Sequence, residues 1–104
     1  MKFIRAIIRP EREPEVIRSL EDAGFFAVTK VPVRGRGIER GVQVGAVSYD
    51  ELSKLMLMMA VEDKDMPLVV QTLEGAARTN NPGDGKVFIE NVRDMYLIRT
   101  GERE

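Results

Sequence analysis

Four segments of the chain have the alternation, or the enrichment in β-branched and aromatic residues, that predicts β-strands. They are residues 3–8, 25–33, 55–61 and 87–92, the last continued by a short extension through residues 96–98. In the first strand, Ile4, Ala6 and Ile8 share one face. The pattern therefore predicts strands that have an inner and an outer face.

Two segments between these strands repeat apolar residues at helical spacing. The first carries Val16, Ile17, Leu20 and Ala23, and the second carries Met66, Val69, Val70, Leu73, Ala76 and Ala77. Pro14 suits the first turn of the first helix, and Gly24 suits its left-handed end. For the second helix we expect Asp65 to be the capping residue, with Pro67 in the first turn.

The resulting order is strand, helix, strand, strand, helix, strand, which predicts an α+β, ferredoxin-like sandwich. Both helices then lie on one face of the sheet. The third strand, from Leu55 to Val61, is apolar on both faces, so its second face also needs a cover. Self-association would provide it, and the methionines of this strand are expected to fill core and interface rather than bind metal.

The composition limits the possible functions. The chain has 104 residues, which suits one domain spanning 1–104. It contains no cysteine and no histidine, so disulfides, the usual zinc ligands and the usual proton shuttle are lacking. A formal charge of -1 lacks the basic excess of a nucleic-acid binder. Lys2 and Arg5 interrupt the first apolar segment, so we expect a cytoplasmic protein without membrane insertion.

A glycine-rich run, residues 79–86, precedes the fourth strand. Gly83 and Gly85 flank Asp84, and Lys86 follows where the strand begins. Glycines in this arrangement let backbone N–H groups converge, and the lysine can reach a phosphate. Asp-Gly before a strand is also an ordinary turn signal. The run alone leaves both an anion site and a plain turn open.

Residues 35–53 form a second unusual stretch, rich in glycine and without a sustained hydrophobic period. Such a stretch is uncommon in a small domain unless it is functional or mobile. The alternative is a long hairpin with poorly ordered edges. The sequence therefore predicts either a functional arm or a hairpin between the second and third strands.

Three separated segments resemble the PII signal-transduction family. They are Gly35-x-Gly37, residues 79–89 and the terminal Arg99-Thr100-Gly101-Glu102. The resemblance covers nearly the whole chain, and it implies a trimer that binds nucleotide in the clefts between subunits. The segments that it implies are a T-loop at about 36–53, a B-loop at about 79–86 and a C-terminal segment at about 97–104.

The resemblance further implies that ATP or ADP is bound by residues of all three segments. The nucleotide-binding residues are then Thr29, Gly35, Arg36, Gly37, Ile38, Thr79, Gly83, Asp84, Gly85, Lys86 and Arg99. Lys86 matches the lysine that contacts phosphate, and Arg99 matches one of two C-terminal arginines. Leu97 replaces the second of these, and Ile38 replaces another familiar arginine. We therefore expect nucleotide to bind more weakly than in the family, or in a different orientation.

The second ligand of the family is 2-oxoglutarate, which binds through Mg²⁺ and the ATP phosphates at the base of the T-loop. The residues implied for it here are Arg9, Gly37, Glu39, Gly41 and Lys54. Glu39 stands where the family usually has glutamine, and its carboxylate suits Mg²⁺. The same charge repels a dicarboxylate, so we expect Mg²⁺-ATP to bind more firmly than 2-oxoglutarate.

Within the family, the short arm at 42–52 and the double asparagine before Pro82 most resemble the branch encoded with nitrogenase in methanogenic archaea. The resemblance implies a non-enzymatic regulator whose T-loop binds dinitrogenase, with 2-oxoglutarate relieving the inhibition. A homotrimer and a mixed assembly with a paralogue both remain open. Two other functions fit the residues: a small phosphohydrolase that uses Lys86, Asp84 or Glu39, and a trimeric interaction module that binds no nucleotide.

Overall fold

The computed structural model describes residues 1–36, 42–44, 47–49 and 51–104. Their strands are β1 (Lys2–Ile8), β2 (Thr29–Gly35), β3 (Val42–Val44), β4 (Val47–Tyr49), β5 (Leu52–Val61) and β6 (Gly85–Asn91). Their helices are α1 (Glu13–Asp22) and α2 (Met66–Ala77), each preceded by a single 3₁₀ turn. This order confirms the predicted sequence of four main strands and two helices.

The four long strands form one antiparallel sheet in the order β2-β5-β1-β6. This is the strand order of a ferredoxin-like sandwich, as the sequence predicts. The short strands β3 and β4 pair with each other in a separate two-stranded sheet, within the stretch for which an arm or a hairpin is expected. In the main sheet, β2 and β6 are the two edge strands.

The hydrophobic core lies between the helices and one face of the main sheet. Alternate residues of β1 and β5 are buried there, and both helices contribute the apolar stripes that their spacing predicts. The largest fully buried side chains are Ile4, Leu20, Leu57, Leu73, Val16 and Val69. Since each such side chain removes enough apolar surface to contribute about 1.5 to 3 kcal/mol, this layer stabilises the domain.

The second strand begins later than the sequence predicts. Residues 25–28 lie outside β2, which starts at Thr29. Phe25 and Val28 pack against the core, and the Phe25 N–H donates to the Leu20 carbonyl oxygen at 2.8 Å. Phe25 closes the end of α1, and both Phe25 and Val28 bury apolar surface against the core. These residues therefore contribute to the core without pairing in the sheet.

The helix ends agree with the prediction except at one residue. Pro14 and Pro67 lie in the first turns, and Gly24 follows α1 with a φ of 96°. Asp65 occupies the N-cap position of α2, but its side chain accepts no capping hydrogen bond, so the predicted cap is wrong. The preceding 3₁₀ turn leaves Asp65 with helical angles instead of the extended ones a capping side chain needs.

The C-terminal segment does not extend β6. Instead it turns back on itself, with an antiparallel bridge between Tyr96 and Arg103. Leu97 N–H donates to the Glu102 carbonyl oxygen at 2.9 Å, and Gly101 N–H donates to that of Leu97 at 2.8 Å. The expected strand extension through residues 96–98 is therefore replaced by a tight turn, at which Gly101 has a φ of 71°.

The face of the main sheet opposite the helices carries apolar side chains that are only partly buried among the described residues. Lys86, Ile7, Met56 and Val31 follow one another across the four strands in register. On the same face, Phe88 is 47% exposed. The sheet therefore presents apolar side chains on a face that the helices of the same chain do not cover, as β5 predicts.

Candidate anion-binding turn

The glycine-rich run links α2 to β6 and includes the first two residues of β6, Gly85 and Lys86; we call it the 79–86 turn. Three of its residues have a positive φ: Asn80 at 68°, Gly83 at 92° and Gly85 at 110°. Residues with a side chain rarely adopt a positive φ, which explains why two of the three residues are glycines. The α2 helix ends just before the turn, because Arg78 has extended angles.

The Asp84 side chain lies inside the turn and closes it. Its Oδ2 accepts hydrogen bonds from the backbone N–H groups of Thr79 at 2.8 Å and Asn80 at 2.9 Å. Its Oδ1 accepts from the hydroxyl of Thr79 and from Nε of Arg9, the latter at 3.0 Å. Both oxygens of the carboxylate are thus occupied by groups of the same chain.

These contacts favour the ionised form of the carboxyl. The hydrogen bond from the Thr79 hydroxyl, with those from the backbone and from Arg9, holds the pKa of Asp84 far below its ordinary value. Asp84 is therefore a carboxylate throughout the physiological pH range. Its negative charge is balanced by Arg9 beside it.

Two cationic side chains reach the turn from neighbouring strands. Arg9 Nη2 donates to the Pro82 carbonyl oxygen at 2.7 Å, and the Lys54 ammonium donates to the Gly83 carbonyl oxygen. The register explains why they meet, since Ile8 of β1 pairs with Leu55 on one side and with Gly85 on the other. Arg9, Lys54 and the turn are the next residues beyond this row, at the same end of the sheet.

The proximity of two cations affects the lysine. Partial burial, and then the positive charge of Arg9, lower the pKa of Lys54. Glu11 and Asp84 act in the opposite direction. The ammonium therefore lies where a further negative group would favour its charged form.

The two glycines of the turn are required for different reasons. A Cβ on Gly85 would lie 1.7 Å from the carbonyl oxygen of Ile7, so this position has no space for a side chain. A Cβ on Gly83 would lie 3.4 Å from Nη2 of Arg9 and 3.6 Å from Nζ of Lys54. Gly85 thus allows the edge strand to pair closely with β1, and Gly83 allows the two cations to approach the turn.

A groove of about 440 Å³ opens beside the turn, between α2 and the edge strand β6. Its apolar residues include Leu73 and Val87, and its charged ones are Glu74, Arg78, Asp84 and Lys86. Gly85 also lines it. The turn is therefore accessible from a concave surface that combines apolar and charged groups.

The structure brings together one part of the predicted ligand site. Thr79, Gly83, Asp84, Gly85 and Lys86 lie in or next to the turn, and Arg9 and Lys54 contact it. These residues come from segments far apart in sequence, so the fold and not the motif alone assembles them.

Other predicted residues lie elsewhere. Thr29 and Gly35 are the first and last residues of β2, with Arg36 next to Gly35. Because β2 and β6 are opposite edges, these residues are separated from β6 by three strand spacings across the sheet, about 14 Å. Arg99 is exposed in the C-terminal turn. Outside the described residues lie Gly37, Ile38, Glu39 and Gly41.

The sequence did not reveal what holds the turn together. The sequence predicts Arg9 as a residue flanking a dicarboxylate and Asp84 as a residue near phosphate or in a turn, but not as partners of each other. In the structure they are hydrogen-bonded to each other, although 75 positions separate them. A usable signal was the position of Arg9 directly after β1, since the strand that pairs with β1 begins directly after Asp84.

The described residues show no group of three or more acidic side chains placed to bind a metal ion. None of their helices is long and apolar enough to cross a membrane. The predicted metal ligand, Glu39, lies outside the described residues, so the magnesium prediction stays a prediction.

The fold and the turn define a class of protein: a ferredoxin-like α+β domain with a glycine-rich turn, contacted by cations, after its second helix. Residues 1–102 match the family described as nitrogen regulatory protein P-II. The chain belongs to this family, which confirms the resemblance of the three segments.

Similar proteins come from methanogenic archaea. The chain is 48% identical over 103 residues to "Nitrogen fixation nifHD2 region GlnB-like protein 1" of Methanosarcina barkeri, covering 99% of this chain and 98% of that protein. It is 46% identical over 102 residues to "Nitrogen fixation nifHD region GlnB-like protein 1" of Methanothermococcus thermolithotrophicus, covering 98% and 97%. "Nitrogen regulatory protein P-II 2" of Methanothermobacter thermautotrophicus is 43% identical over 109 residues, covering 98% and 92%. These names support the predicted nitrogenase-associated branch of the family.

Proposed function

We propose that this protein is a nitrogen-regulatory sensor that binds ATP or ADP between subunits and controls a target protein through its T-loop. The observation that carries the proposal is the 79–86 turn. In it, two glycines with positive φ, the neighbouring Lys86 and the attached Arg9 and Lys54 form a cationic site at one end of the sheet.

Self-association is part of the proposal. Thr29, Gly35 and Arg36 lie on or next to the edge strand opposite β6, three strand spacings across the sheet, so one chain does not place them beside its own β6. A neighbouring copy can bring its β2 edge to the turn of this one. The uncovered apolar face, which includes Met56 and Phe88, supports such an assembly. A trimer is the assembly we expect.

The residues of the turn fit a phosphate group. Gly83 and Gly85 provide backbone without side chains, and Lys86 provides a positive charge beside the groove. A charge-assisted hydrogen bond of this kind contributes about 1.5 to 3 kcal/mol. The Asp84 side chain does not contact ligand in this proposal, because its carboxylate oxygens accept hydrogen bonds from Thr79, Asn80 and Arg9. It shapes the turn instead.

A dicarboxylate such as 2-oxoglutarate is the second proposed effector. Arg9 and Lys54 form a pair of cations at the base of the arm, next to the turn. Two adjacent positive charges suit a ligand with two negative groups. The proposal includes a bound Mg²⁺ ion, and the family resemblance implies that Glu39 is a ligand of this ion.

A regulatory function is favoured over phosphate-ester hydrolysis. The carboxylate of the 79–86 turn, that of Asp84, has a strongly lowered pKa and is hydrogen-bonded on both oxygens, which makes it a poor general base. In addition, the family is described as regulatory.

The proposed target is dinitrogenase, and the proposed effect is inhibition that 2-oxoglutarate relieves. The support is the naming of relatives after nitrogen-fixation regions. For the arm to act as a switch, the ligands must bind one arm conformation more tightly than another, by a few kcal/mol.

Nucleotide binding is tested by titration calorimetry with Mg²⁺-ATP. The wild type is expected to bind, and Lys86→Ala is expected to weaken binding about ten- to hundredfold. Lys64→Ala is the matched control, since Lys64 is exposed in the 3₁₀ turn before α2, far from the 79–86 turn in sequence. Absence of ATP binding in the wild type, or equal affinities of the two variants, would contradict the proposal.

Assembly and target are tested separately. Light scattering should give a mass of three times the 11.7 kDa chain. Purified dinitrogenase should lose activity when the sensor is added with Mg²⁺-ATP, and regain it with 2-oxoglutarate. A monomer in solution would remove the composite nucleotide site. Unchanged dinitrogenase activity under both conditions would remove the target but leave nucleotide binding untouched.

A further inference from the structure

Each of the two cations beside the 79–86 turn binds a backbone carbonyl oxygen of the turn. Arg9 binds that of Pro82, and Lys54 binds that of Gly83. We infer that Arg9 and Lys54 are positioning residues for the phosphate-binding surface: they fix two consecutive peptide groups so that the N–H of Gly83, which lies between them, faces a bound anion. The inference rests on the proposed nucleotide site and assigns these side chains a function that needs no dicarboxylate.

The orientation follows from the geometry of the peptide group. In a trans peptide the C=O and N–H bonds point in opposite directions, and the structure has no cis peptide among its described residues. When Arg9 holds the carbonyl oxygen of Pro82, the N–H of Gly83 must point away from the guanidinium. In the same way, the contact of Lys54 with Gly83 turns the N–H of Asp84 away from the ammonium.

The conformation at Gly83 agrees with this orientation. Proline followed by glycine with a φ of 92° is the pattern of a type II turn, in which the central N–H makes no hydrogen bond inside the turn. Among the described residues, the N–H of Gly83 donates no hydrogen bond. It is therefore a donor already oriented for a ligand on the side away from the Arg9 guanidinium.

Without these contacts the Pro82–Gly83 and Gly83–Asp84 peptides could rotate, since glycine adopts many backbone angles. A phosphate would then have to order them at the moment of binding, which lowers affinity. The remaining ties of the turn, from Asp84 to Thr79 and Asn80, do not reach these two carbonyl groups. Arg9 and Lys54 are thus the side chains that restrain this part of the turn.

The test measures nucleotide affinity in the absence of any dicarboxylate. Lys54→Met keeps most of the length of the side chain but removes the ammonium donor. We expect its affinity for Mg²⁺-ATP to fall about tenfold, while its affinity for adenosine, measured by NMR titration, changes less than about twofold. Lys54→Arg, which retains a cationic donor, should restore most of the ATP affinity.

The ratio of ATP to adenosine affinity separates positioning from a general structural effect, which would weaken both ligands alike. Lys64→Met is the matched control, because it removes an exposed lysine from a different part of the chain. Arg9→Met should lower the same ratio through the Pro82 carbonyl group.

Three results would overturn the inference. Unchanged ATP affinity in Lys54→Met, with the wild type binding ATP, would remove it and leave the proposed nucleotide site intact. Equal losses for ATP and adenosine would show a structural role only. A wild type that binds no ATP would refute the inference together with the proposed function.

Discussion

The hydrophobic core and the 79–86 turn are stabilised by different kinds of contact. The core consists of apolar side chains such as Ile4, Leu57 and Leu73, each at most 1% exposed. The turn is held by a carboxylate, a guanidinium and an ammonium that remain partly accessible to solvent. The stability of the core depends on the burial of apolar area, whereas that of the turn depends on directional hydrogen bonds between charged groups.

This difference separates what each region can do. Apolar contacts do not depend on protonation and respond weakly to anions. The core therefore maintains the structure of the sheet whether or not a ligand is bound. Hydrogen bonds between charged groups are directional, and a competing anion can exchange for them. The comparison therefore predicts large effects on stability from changes in the core, and smaller, pH-dependent effects from changes in the turn.

The largest effect is expected for Leu57→Ala. Leu57 is 1% exposed in the central strand β5, and its truncation leaves a cavity under the helices. The free energy of unfolding, measured by urea denaturation, should fall by about 2 to 5 kcal/mol. Leu68→Ala is the control, since Leu68 is 47% exposed and should cost less than about 1 kcal/mol. Equal losses in both variants would contradict a core confined to the helix side of the sheet.

A smaller loss is expected where the turn joins the sheet, for Gly85→Ala. The φ of 110° alone costs about 1 to 2 kcal/mol for a residue with a side chain, and the contact with the Ile7 carbonyl adds to it. Gly75→Ala, in the last turn of α2 and with nothing within 4 Å of the new Cβ, should instead stabilise the protein, by up to about 1 kcal/mol. Thermal unfolding of both variants checks the opposite signs. A stable Gly85→Ala protein would show that the edge strand need not lie so close to β1.

The core could be predicted from the sequence because its pattern is local. Residues such as Val16 and Leu20 recur every three or four positions, and the alternation in β1 selects Ile4, Ala6 and Ile8. The ends of the strands were less predictable, because an apolar residue next to a strand can pack on the core without pairing in the sheet. Phe25 has the composition of a strand residue but packs on the core before β2 begins.

The turn could be predicted only as a composition. Glycines around Asp84 indicate a tight bend, but the partners of its carboxylate depend on the register of three strands. Arg9 is 75 positions away in sequence and Lys54 is 29 positions from its carbonyl partner, Gly83. No local pattern contains that information. For the same reason, the edge that carries Thr29 and Gly35 could be connected to the turn only through resemblance to a family that assembles.

The smallest effect on global stability is expected for Asp84, and it should depend on pH. The native pKa of Asp84 is lowered by its hydrogen bonds, so the native state binds fewer protons there than the unfolded chain. Its contribution is therefore present above the ordinary carboxyl pKa of about 3.9 and is lost as the pH falls through the lower native value. The turn should stay closed at pH values where an ordinary carboxyl is already protonated.

The backbone N–H groups of Thr79 and Asn80, which donate to Asp84, report this directly in NMR spectra. In the wild type their chemical shifts should change only below about pH 3.9, whereas the N–H of Leu73, buried in α2, should not follow the same transition. In Asp84→Asn, which removes the charge that pairs with Arg9, the two N–H shifts should differ from the wild type at neutral pH and lose this transition. A midpoint at or above pH 3.9 in the wild type would mean that the carboxylate does not hold the turn, and that the contrast between an apolar core and a charge-held turn is wrong.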